Sequence, residues 1–358
     1  MLLASVWRSP NSLAVFWTKA RVTVALTPAQ RALSDFACIP LWASLASVSS
    51  PLVACFQSAA ASPSCRGRPP TGRCSPWRRA PFVGKGAKQQ AYTAGRPDRH
   101  LDDDLFGYMV AVKKESYQRD TVLATGTLVS VVPQRPTLDF GTMSRDFPAG
   151  EHPVIHSHEL YSATLAGDLL LDLPRVGVFE TDGNGLRVAI SQDVAEEAKT
   201  SGAEETTLRG TAAVRLPVGE RRRRIATLLR TLAAVRGGAK KAQHYGDRTP
   251  SLVLLAPLKG GVNPLTRVVG GRDGKTVFLP DVLREELAAW SDELEDGPVL
   301  LGWAPGFLGD QREQIRRELK DLIDENRLVL DHPRVLLKRL AGEFERGEHD
   351  TWFEDSAA

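Results

Sequence analysis

The amino-acid sequence predicts an α+β protein, an antiparallel sheet backed by helices, on three observations. Short apolar or alternating runs, separated by turns rich in Pro and Gly, recur between residues 104 and 190, as is typical of strands. Apolar residues at helical spacing dominate from Glu220 and again after residue 281. Strands and helices do not alternate regularly, which favours an antiparallel sheet over a parallel, doubly wound one.

The length and composition are those of a globular protein. The chain has 358 residues, 42% hydrophobic and 25% charged, enough for one large domain or two smaller ones. This excludes collagen-like, wholly disordered and disulfide-scaffold proteins. No apolar run approaches the roughly 18 residues that a membrane span needs. We therefore expect no membrane contact.

The charge is distributed unevenly along the chain. Residues 1–97 carry 12 Lys or Arg against one acid, Asp35, whereas residues 98–358 carry 34 bases and 42 acids. The body is therefore acidic overall, and any anion that it binds must be held by a local basic patch. All four cysteines lie in the basic segment, at spacings of 17, 10 and 9, without a C-x-x-C pair. Zinc is not expected, and the cysteine-free body fits a reducing cytoplasm.

Residues 1–80 have an atypical composition, rich in Ala, Ser, Pro and Arg and without sustained periodicity. Three interpretations are open: a targeting segment, a disordered basic arm that contacts nucleic acid, or a wrong start site or shifted reading frame. The abrupt change after Phe82 favours the third. We therefore place no strand and no functional residue in this segment.

The body begins with strands. We predict strands over 104–112 and 121–132, and an irregular, functional or disordered loop after Pro133. Residues 156–173 predict a strand pair, and residues 176–190 a strand, a turn and a second strand.

Helices dominate the second half. A helix is predicted from Glu220 to Gly237–Gly238, followed by a strand over 251–258 and another between the paired glycines at 260–261 and 270–271. The remainder is predicted to be helical, over residues 281–295, 310–325 and 334–346.

A basic patch is the most informative chemical feature. Residues 206–245 hold ten Lys or Arg against one acid, Glu220. Arg221 to Arg224 lie in the first turn of the predicted helix, where the helix dipole is already positive, so an external polyanion would stabilise them. The glycines and lysines of residues 235–241 could approach and neutralise a phosphate. A solvated basic face, with the glycines as a helix C-cap, is the simpler alternative.

Other kinds of site have weaker signals. The best metal candidates are His152, His156, His158 and Glu159, supplemented by Asp102 to Asp104, although polar residues at a strand start explain the pattern equally simply. The chain contains neither a phosphate-binding G-x-x-x-x-G-K-[ST] loop nor a G-x-S-x-G nucleophile motif. We expect no metal, no cofactor and no catalytic residue.

Four stretches carry a resemblance to a known family. They are LDDDLFGYM (101–109), GTLVSVVPQRPTLDFGTMSR (126–145), HSHELYSATL (156–165) and VRGGAKKAQHYGDRTPSLVLLAP (235–257). In this order they resemble the DevR-type "Cas seven" family, the RNA-binding backbone subunit of type I CRISPR Cascade complexes, most closely subtype I-B. The resemblance covers residues 85–260.

The resemblance implies a fold and a function. It implies a modified RRM, ferredoxin-like palm over 81–280 with long inserted loops, called thumb and fingers, and a helical C-terminal part over 281–358. Copies of the chain would polymerise along crRNA and present it for pairing with target DNA, beside other Cascade subunits in the cytoplasm. Residues 1–80 depart from the family, because no first palm strand is predicted there.

The resemblance also implies candidate RNA contacts. The first are Gly237, Gly238, Lys240, Lys241 and Gln243. Those that follow lie near the matched loop or on a neighbouring connection: Arg135, Arg145, Lys113, Lys114 and Arg119. Leu105, Phe106 and Tyr108 lie in a matched strand, and we expect them to pack in the core.

Two alternative functions remain open. A metal-dependent RNA endonuclease, like type III backbone subunits, would use Asp139 or Asp102 to Asp104. A DNA-binding autoregulator is the other alternative, although no helix-turn-helix is evident.

Overall fold

The computed structural model describes six stretches of the chain. They are residues 12–19, 95–112, 115–143, 154–182, 188–235 and 247–354. The strands are β1 (Ser12–Lys19), β2 (Tyr108–Val112), β3 (Glu115–Arg119), β4 (Leu123–Thr125), β5 (Val129–Ser130), β6 (Thr137–Met143), β7 (Val154–Leu160), β8 (Leu165–Asp172), β9 (Val178–Glu180), β10 (Glu204–Leu208), β11 (Thr211–Arg215), β12 (Leu252–Leu258), β13 (Val269–Arg272), β14 (Lys275–Phe278), β15 (Val299–Trp303) and β16 (Leu328–Asp331). The α-helices are α1 (Leu101–Phe106), α2 (Gln192–Thr200), α3 (Val218–Leu232), α4 (Pro280–Ala289), α5 (Gln311–Glu318), α6 (Lys320–Asp324) and α7 (Pro333–Arg346).

A seven-stranded sheet forms the centre of the fold. Its order is β16-β15-β12-β1-β8-β4. The seventh strand, β5, also pairs with β8, on the same side as β4 but at the start of β8 rather than near its end. Every pair is antiparallel except β15 with β16. In the middle, β1 aligns Val15 with both Leu169 and Leu255. This mixture of helices and a largely antiparallel sheet confirms the predicted α+β class.

The central strand β1 contradicts the expectation that residues 1–80 contain no strand. Strands in the middle of a sheet that is covered on both faces are often almost continuously apolar, so they lack the alternation that marks a half-exposed strand. The run SLAVFWTK has this character. The sheet therefore takes strands from the first, middle and last of the three segments predicted above.

Helices cover both faces of this sheet. Leu255 faces a core that contains Leu229 of α3 and Phe344 of α7. Its neighbour Leu254 faces a second core, which contains Leu283 of α4. Because adjacent strand residues point to opposite faces, β12 must be apolar at every position. All seven of its residues are buried, and the strand predicted over 251–258 is confirmed.

The predicted strand at 104–112 is wrong over its first half. Residues 101–106 form α1, and the chain turns at Gly107, whose φ is 72°. A Cβ at Gly107 would collide with the backbone oxygen of Arg119. Only a residue without a side chain allows this close turn from helix to strand.

Several other element predictions also need correction. The strand predicted over 121–132 is divided into β4 and β5, and the one predicted between the glycine pairs is largely a 3-10 turn, Pro264–Arg267. The second strand predicted within 176–190 is not formed by residues 188–190. The sequence does not predict β3, α2, β10, β11 or β14, and β6 (Thr137–Met143) lies where an irregular loop is predicted. The helices predicted at 220, 281, 310 and 334 are confirmed as α3, α4, α5 with α6, and α7, but β15 and β16 lie between them. Within the described stretches, no helix is long and apolar enough to span a bilayer.

Candidate nucleic-acid interface

One end of the central sheet gathers the connections that contain most of the predicted RNA contacts. We call it the Leu252 edge, because β12 begins there at Leu252. The alignment places the start of β8 and the ends of β1, β5 and β15 at the same end. Backbone hydrogen bonds join the connections, from Val131 N to Thr164 O at 3.0 Å and from Ala304 N to Ser251 O at 2.8 Å.

We call residues 236–246 the glycine–lysine segment. The described residues on both sides of it, Val235 and Asp247, lie at this edge. Helix α3 descends along the sheet to its end at Leu232, where Arg334 at the start of α7 donates from Nη1 to Ala233 O at 2.9 Å. The chain returns through Asp247, whose side chain accepts from the Thr249 backbone N–H at 2.9 Å. Gly237, Gly238, Lys240, Lys241 and Gln243 themselves lie outside the described residues, so their RNA contacts stay a prediction.

A β-hairpin arm also starts from the Leu252 edge. Arg135 is exposed in the connection between β5 and β6. The strands β6 and β7 pair only with each other, with Asp139 opposite His158, and belong to none of the other sheets of the described chain. Arg145 lies between these strands, outside the described residues. The topology therefore brings Arg135, this arm and both ends of the glycine–lysine segment to one end of the molecule.

The hairpin in which the remaining predicted contacts occur is joined to the opposite end of the sheet. Lys113 and Lys114 lie outside the described residues, between β2 and β3. The hairpin of these two strands continues into β4 at Leu123, which is aligned with Leu171 near the end of β8. The structure therefore does not place the base of this hairpin beside the Leu252 edge.

Arg119 requires a correction, because its guanidinium is used inside the protein. It is 2% exposed and donates to Asp104 O at 2.9 Å, to Val178 O at 2.8 Å and to Arg175 O at 2.9 Å. It also forms an ion pair with the Asp104 carboxylate. A side chain occupied in this way serves the packing of the fold and is not placed to contact a phosphate.

The arginine run at the start of α3 is likewise committed to internal partners. Arg222 pairs with Asp350, Arg223 with Glu220, and Arg224 with both Glu220 and Asp104. Arg221 donates to backbone carbonyls. The interpretation that an external polyanion stabilises this whole run is therefore wrong, because carboxylates within the fold already do so for three of the four.

The aspartates proposed for nuclease chemistry are not gathered in one place. Asp104 is buried and accepts from Arg119, Arg224 and the Gly177 backbone N–H at 3.0 Å, whereas Asp139 is exposed on the arm. Among the described side chains, no group of three or more His, Cys, Asp or Glu could hold a metal ion. His152 lies outside the described residues.

The residues expected to pack do so. Leu105 is buried and Phe106 packs against the first core. Tyr108 donates from its hydroxyl to Ala189 O at 2.6 Å. Its burial raises the pKa of the phenol above the ordinary value.

Two further arginines at the Leu252 edge were not predicted from the sequence. Arg248 is half-buried directly after Asp247, within a matched stretch of sequence that could have identified it. Arg334 lies beside the end of α3, although it is 98 residues past Arg236 in sequence and no local signal connects them. Both add positive charge where the glycine–lysine segment begins and ends.

Comparison with known proteins gives limited information. No protein-family model and no curated protein matches the chain. A chain of a solved structure described as a CRISPR RNA-guided surveillance complex in a pre-nicking state is 15% identical, with a TM-score of 0.40, over 69% of this chain and 56% of that one. A chain of a second CRISPR RNA-guided surveillance complex is 11% identical, with a TM-score of 0.38, over 82% of this chain and 90% of that one. This chain thus spans little more than half the length of the first of them, and neither value of identity or TM-score establishes a shared function.

Proposed function

We propose that this chain is a crRNA-binding backbone subunit of a type I CRISPR Cascade complex, of the DevR type and close to subtype I-B. Copies of it would assemble in the cytoplasm along the guide RNA with other Cascade subunits. Target DNA would be bound through pairing with that RNA, while the protein holds the sugar–phosphate backbone. The proposed role is a scaffold, without a catalytic residue or cofactor.

The convergence at the Leu252 edge is the observation that carries this proposal. Arg135 and Arg248 lie in connections at this edge, and Arg334 lies in the first turn of α7 beside it. The residues that flank the segment with Lys240 and Lys241 lie there as well. The whole protein has a net charge of only +3, so general attraction to nucleic acid would be weak. A phosphate backbone would therefore be held by locally concentrated cations.

The order of the central strands supports the ferredoxin-like part of the proposal. In the order β12-β1-β8-β4, the connection from β8 to β12 contains β9, α2, β10 and β11 and then helix α3, and β1 separates the two strands. Such a split β-α-β unit is the repeating element of ferredoxin-like folds. The strands β15 and β16 would then be an extension of the palm sheet.

The exposed arm supports the proposed self-assembly. Leu138, Phe140 and Ile155 share one face of the hairpin and are 55%, 71% and 72% exposed. Two-stranded hairpins are marginally stable alone, and exposed apolar groups mark contact surfaces. We propose that a second copy of the chain covers this face when the RNA brings copies together.

RNA affinity as a function of salt tests the function. Removal of one phosphate contact to a single strand lowers the slope of log affinity against log salt by about 0.7, so Lys240→Ala with Lys241→Ala should lower it by about 1.4. The matched control is Lys259→Ala with Lys320→Ala, two exposed lysines on the main body. It should leave the slope unchanged. Equal slopes for the test pair and the unmodified protein would remove the segment from the interface.

A further inference from the structure

A polar cavity of about 670 Å³ lies far from the Leu252 edge. It is open to solvent on one side and lined by β10 and β11, by the start of α3 and by the last described turn, Asp350–Phe353. Val178, Leu208 and Phe353 contribute apolar surface, and Arg215 and Arg221 contribute positive charge. None of the functions considered above uses it.

Arg221 is the unusual group in this cavity, since it is a buried cation with no direct carboxylate partner among the described residues. It is 4% exposed. Its Nε donates to Val176 O at 2.7 Å and its Nη2 to Pro174 O at 2.9 Å, with longer contacts to two other carbonyls. The guanidinium lies 4.5 Å from the centre of the Phe353 ring. For Nη1, the described residues provide no acceptor within hydrogen-bond distance.

The electrostatic surroundings leave this charge incompletely balanced. Burial, and then repulsion from Arg215, lower the pKa of Arg221 to about 10. Two carboxylates, those of Asp104 and Asp350, oppose the lowering of this pKa. Both are already paired with other guanidiniums. Asp104 pairs with Arg119 and Arg224, and Asp350 pairs with Arg222. An additional anion beside Arg221 would therefore be stabilised.

We propose that this cavity binds a carboxylate carried by an extended segment of a partner protein, with Arg221 and Arg215 as its cationic contacts. Arg215 is 3.3 Å from Glu204, but both are exposed, so this pair can be exchanged at little cost. The 15-residue helix α3 begins at the cavity, with its positive dipole end towards it. A site of this kind does not depend on the RNA-binding proposal.

The geometry favours a peptide carboxylate over a phosphate or an RNA strand. Glu204, Asp350 and Glu354 also line the cavity and would repel a multiply charged ligand. In contrast, β10 is an edge strand of its three-stranded sheet, and Thr206 and Thr207 on it line the cavity. The hydroxyls of these threonines can hydrogen-bond to the amide groups of an extended peptide.

The test uses NMR of the full-length ¹⁵N-labelled chain, observing the Arg221 Nε–Hε resonance. The probes are N-acetyl-aspartate N′-methylamide, the neutral N-acetyl-asparagine N′-methylamide and inorganic phosphate. We expect a saturable shift with the aspartate probe, with a Kd on the order of 1 mM for a ligand of this size, and none with the asparagine probe. Phosphate should bind more weakly than the aspartate probe.

Two variants make the result specific. Arg215→Gln should weaken the aspartate probe about threefold to fivefold, since it removes one partly exposed charge contact. Arg230→Gln, the same charge change at the other end of α3, should leave the Kd unchanged. Three results would overturn the proposal: no saturable shift, equal shifts with both amino-acid probes, or tighter binding of phosphate.

Discussion

The carboxylate of Asp104 joins α1 to three other parts of the fold. It accepts from Arg119 of β3, from Arg224 of α3 and from the backbone N–H of Gly177. Both arginines are almost completely buried. A buried carboxylate with these partners balances charges that would otherwise be left unpaired in a poorly solvating interior.

We expect Asp104→Asn to lower the free energy of unfolding by about 3–5 kcal/mol, because it removes the buried carboxylate charge that the guanidiniums of Arg119 and Arg224 share. Asp102→Asn, a neighbouring residue of the same helix that is only partly buried, should change it by about 0.5 kcal/mol or less. Urea unfolding of the two variants measures the difference. Equal stabilities would show that the network contributes little to the fold.

At the residue scale, the sequence shows where the basic residues are but not which of them have partners inside the fold. The sequence presents Arg119 and Arg221 to Arg224 as available cations, because most of their carboxylate or carbonyl partners are distant in sequence. Arg224 and Asp104, for example, are 120 residues apart. Single-sequence patterns report neighbours at helical or strand spacing, so a contact of this separation leaves no local signal.

At the scale of elements, the packing of α3 against α7 is central to the fold. Leucines of both helices share the first core, and two ion pairs join α3 to α7 and the following turn. These are Arg230 with Glu345 and Arg222 with Asp350. The hydrogen bond from Arg222 lowers the pKa of Asp350, and that from Arg230 lowers the pKa of Glu345.

These shifts predict that the protein loses stability in acid. A carboxyl whose pKa is lower in the folded state stabilises that state at neutral pH, and this contribution is lost as the pH falls through the ordinary carboxyl range and below. Glu345→Gln should therefore reduce the difference in unfolding free energy between pH 7 and pH 3. The control is Glu285→Gln, an exposed carboxylate of α4. An unaltered pH dependence in Glu345→Gln would contradict the assignment.

The β6–β7 arm gives the second prediction at this scale. Phe140→Ser should reduce the size of the complexes formed on a long single-stranded RNA, as measured by sedimentation, and leave the free chain folded. Phe140 is 71% exposed, so the substitution removes little core packing. Val262→Ser, at a position 51% exposed and outside the arm, is the matched control. Unchanged complexes in Phe140→Ser would exclude this face from self-assembly.

The elements that could be predicted are those with a strong period or a long apolar run. The helices α3 and α7 present apolar residues at helical spacing, and β12 is continuously apolar. In contrast, α1 has six residues and begins beside three aspartates, and β15 and β16 are short runs between helices. Such segments acquire their structure from tertiary packing rather than from a local pattern.

At the scale of the whole molecule, different groups lie at the two ends of the sheet. The Leu252 edge holds the arm and the flanks of the glycine–lysine segment, whereas the far end holds the buried charge network of Asp104. The sequence predicted that a local patch exists, because ten of the basic residues are concentrated over 206–245. It could not show that most of the arginines of α3 have partners inside the fold, because several of those partners are distant in sequence.

Cross-linking tests the central claim, that RNA lies along the Leu252 edge, most directly. The full chain would be irradiated on a single-stranded RNA, and the cross-linked peptides identified by mass spectrometry. We expect cross-links in residues 133–160 and 235–251. Cross-links confined to the opposite end, around residues 99–119 and 173–222, would contradict the claim.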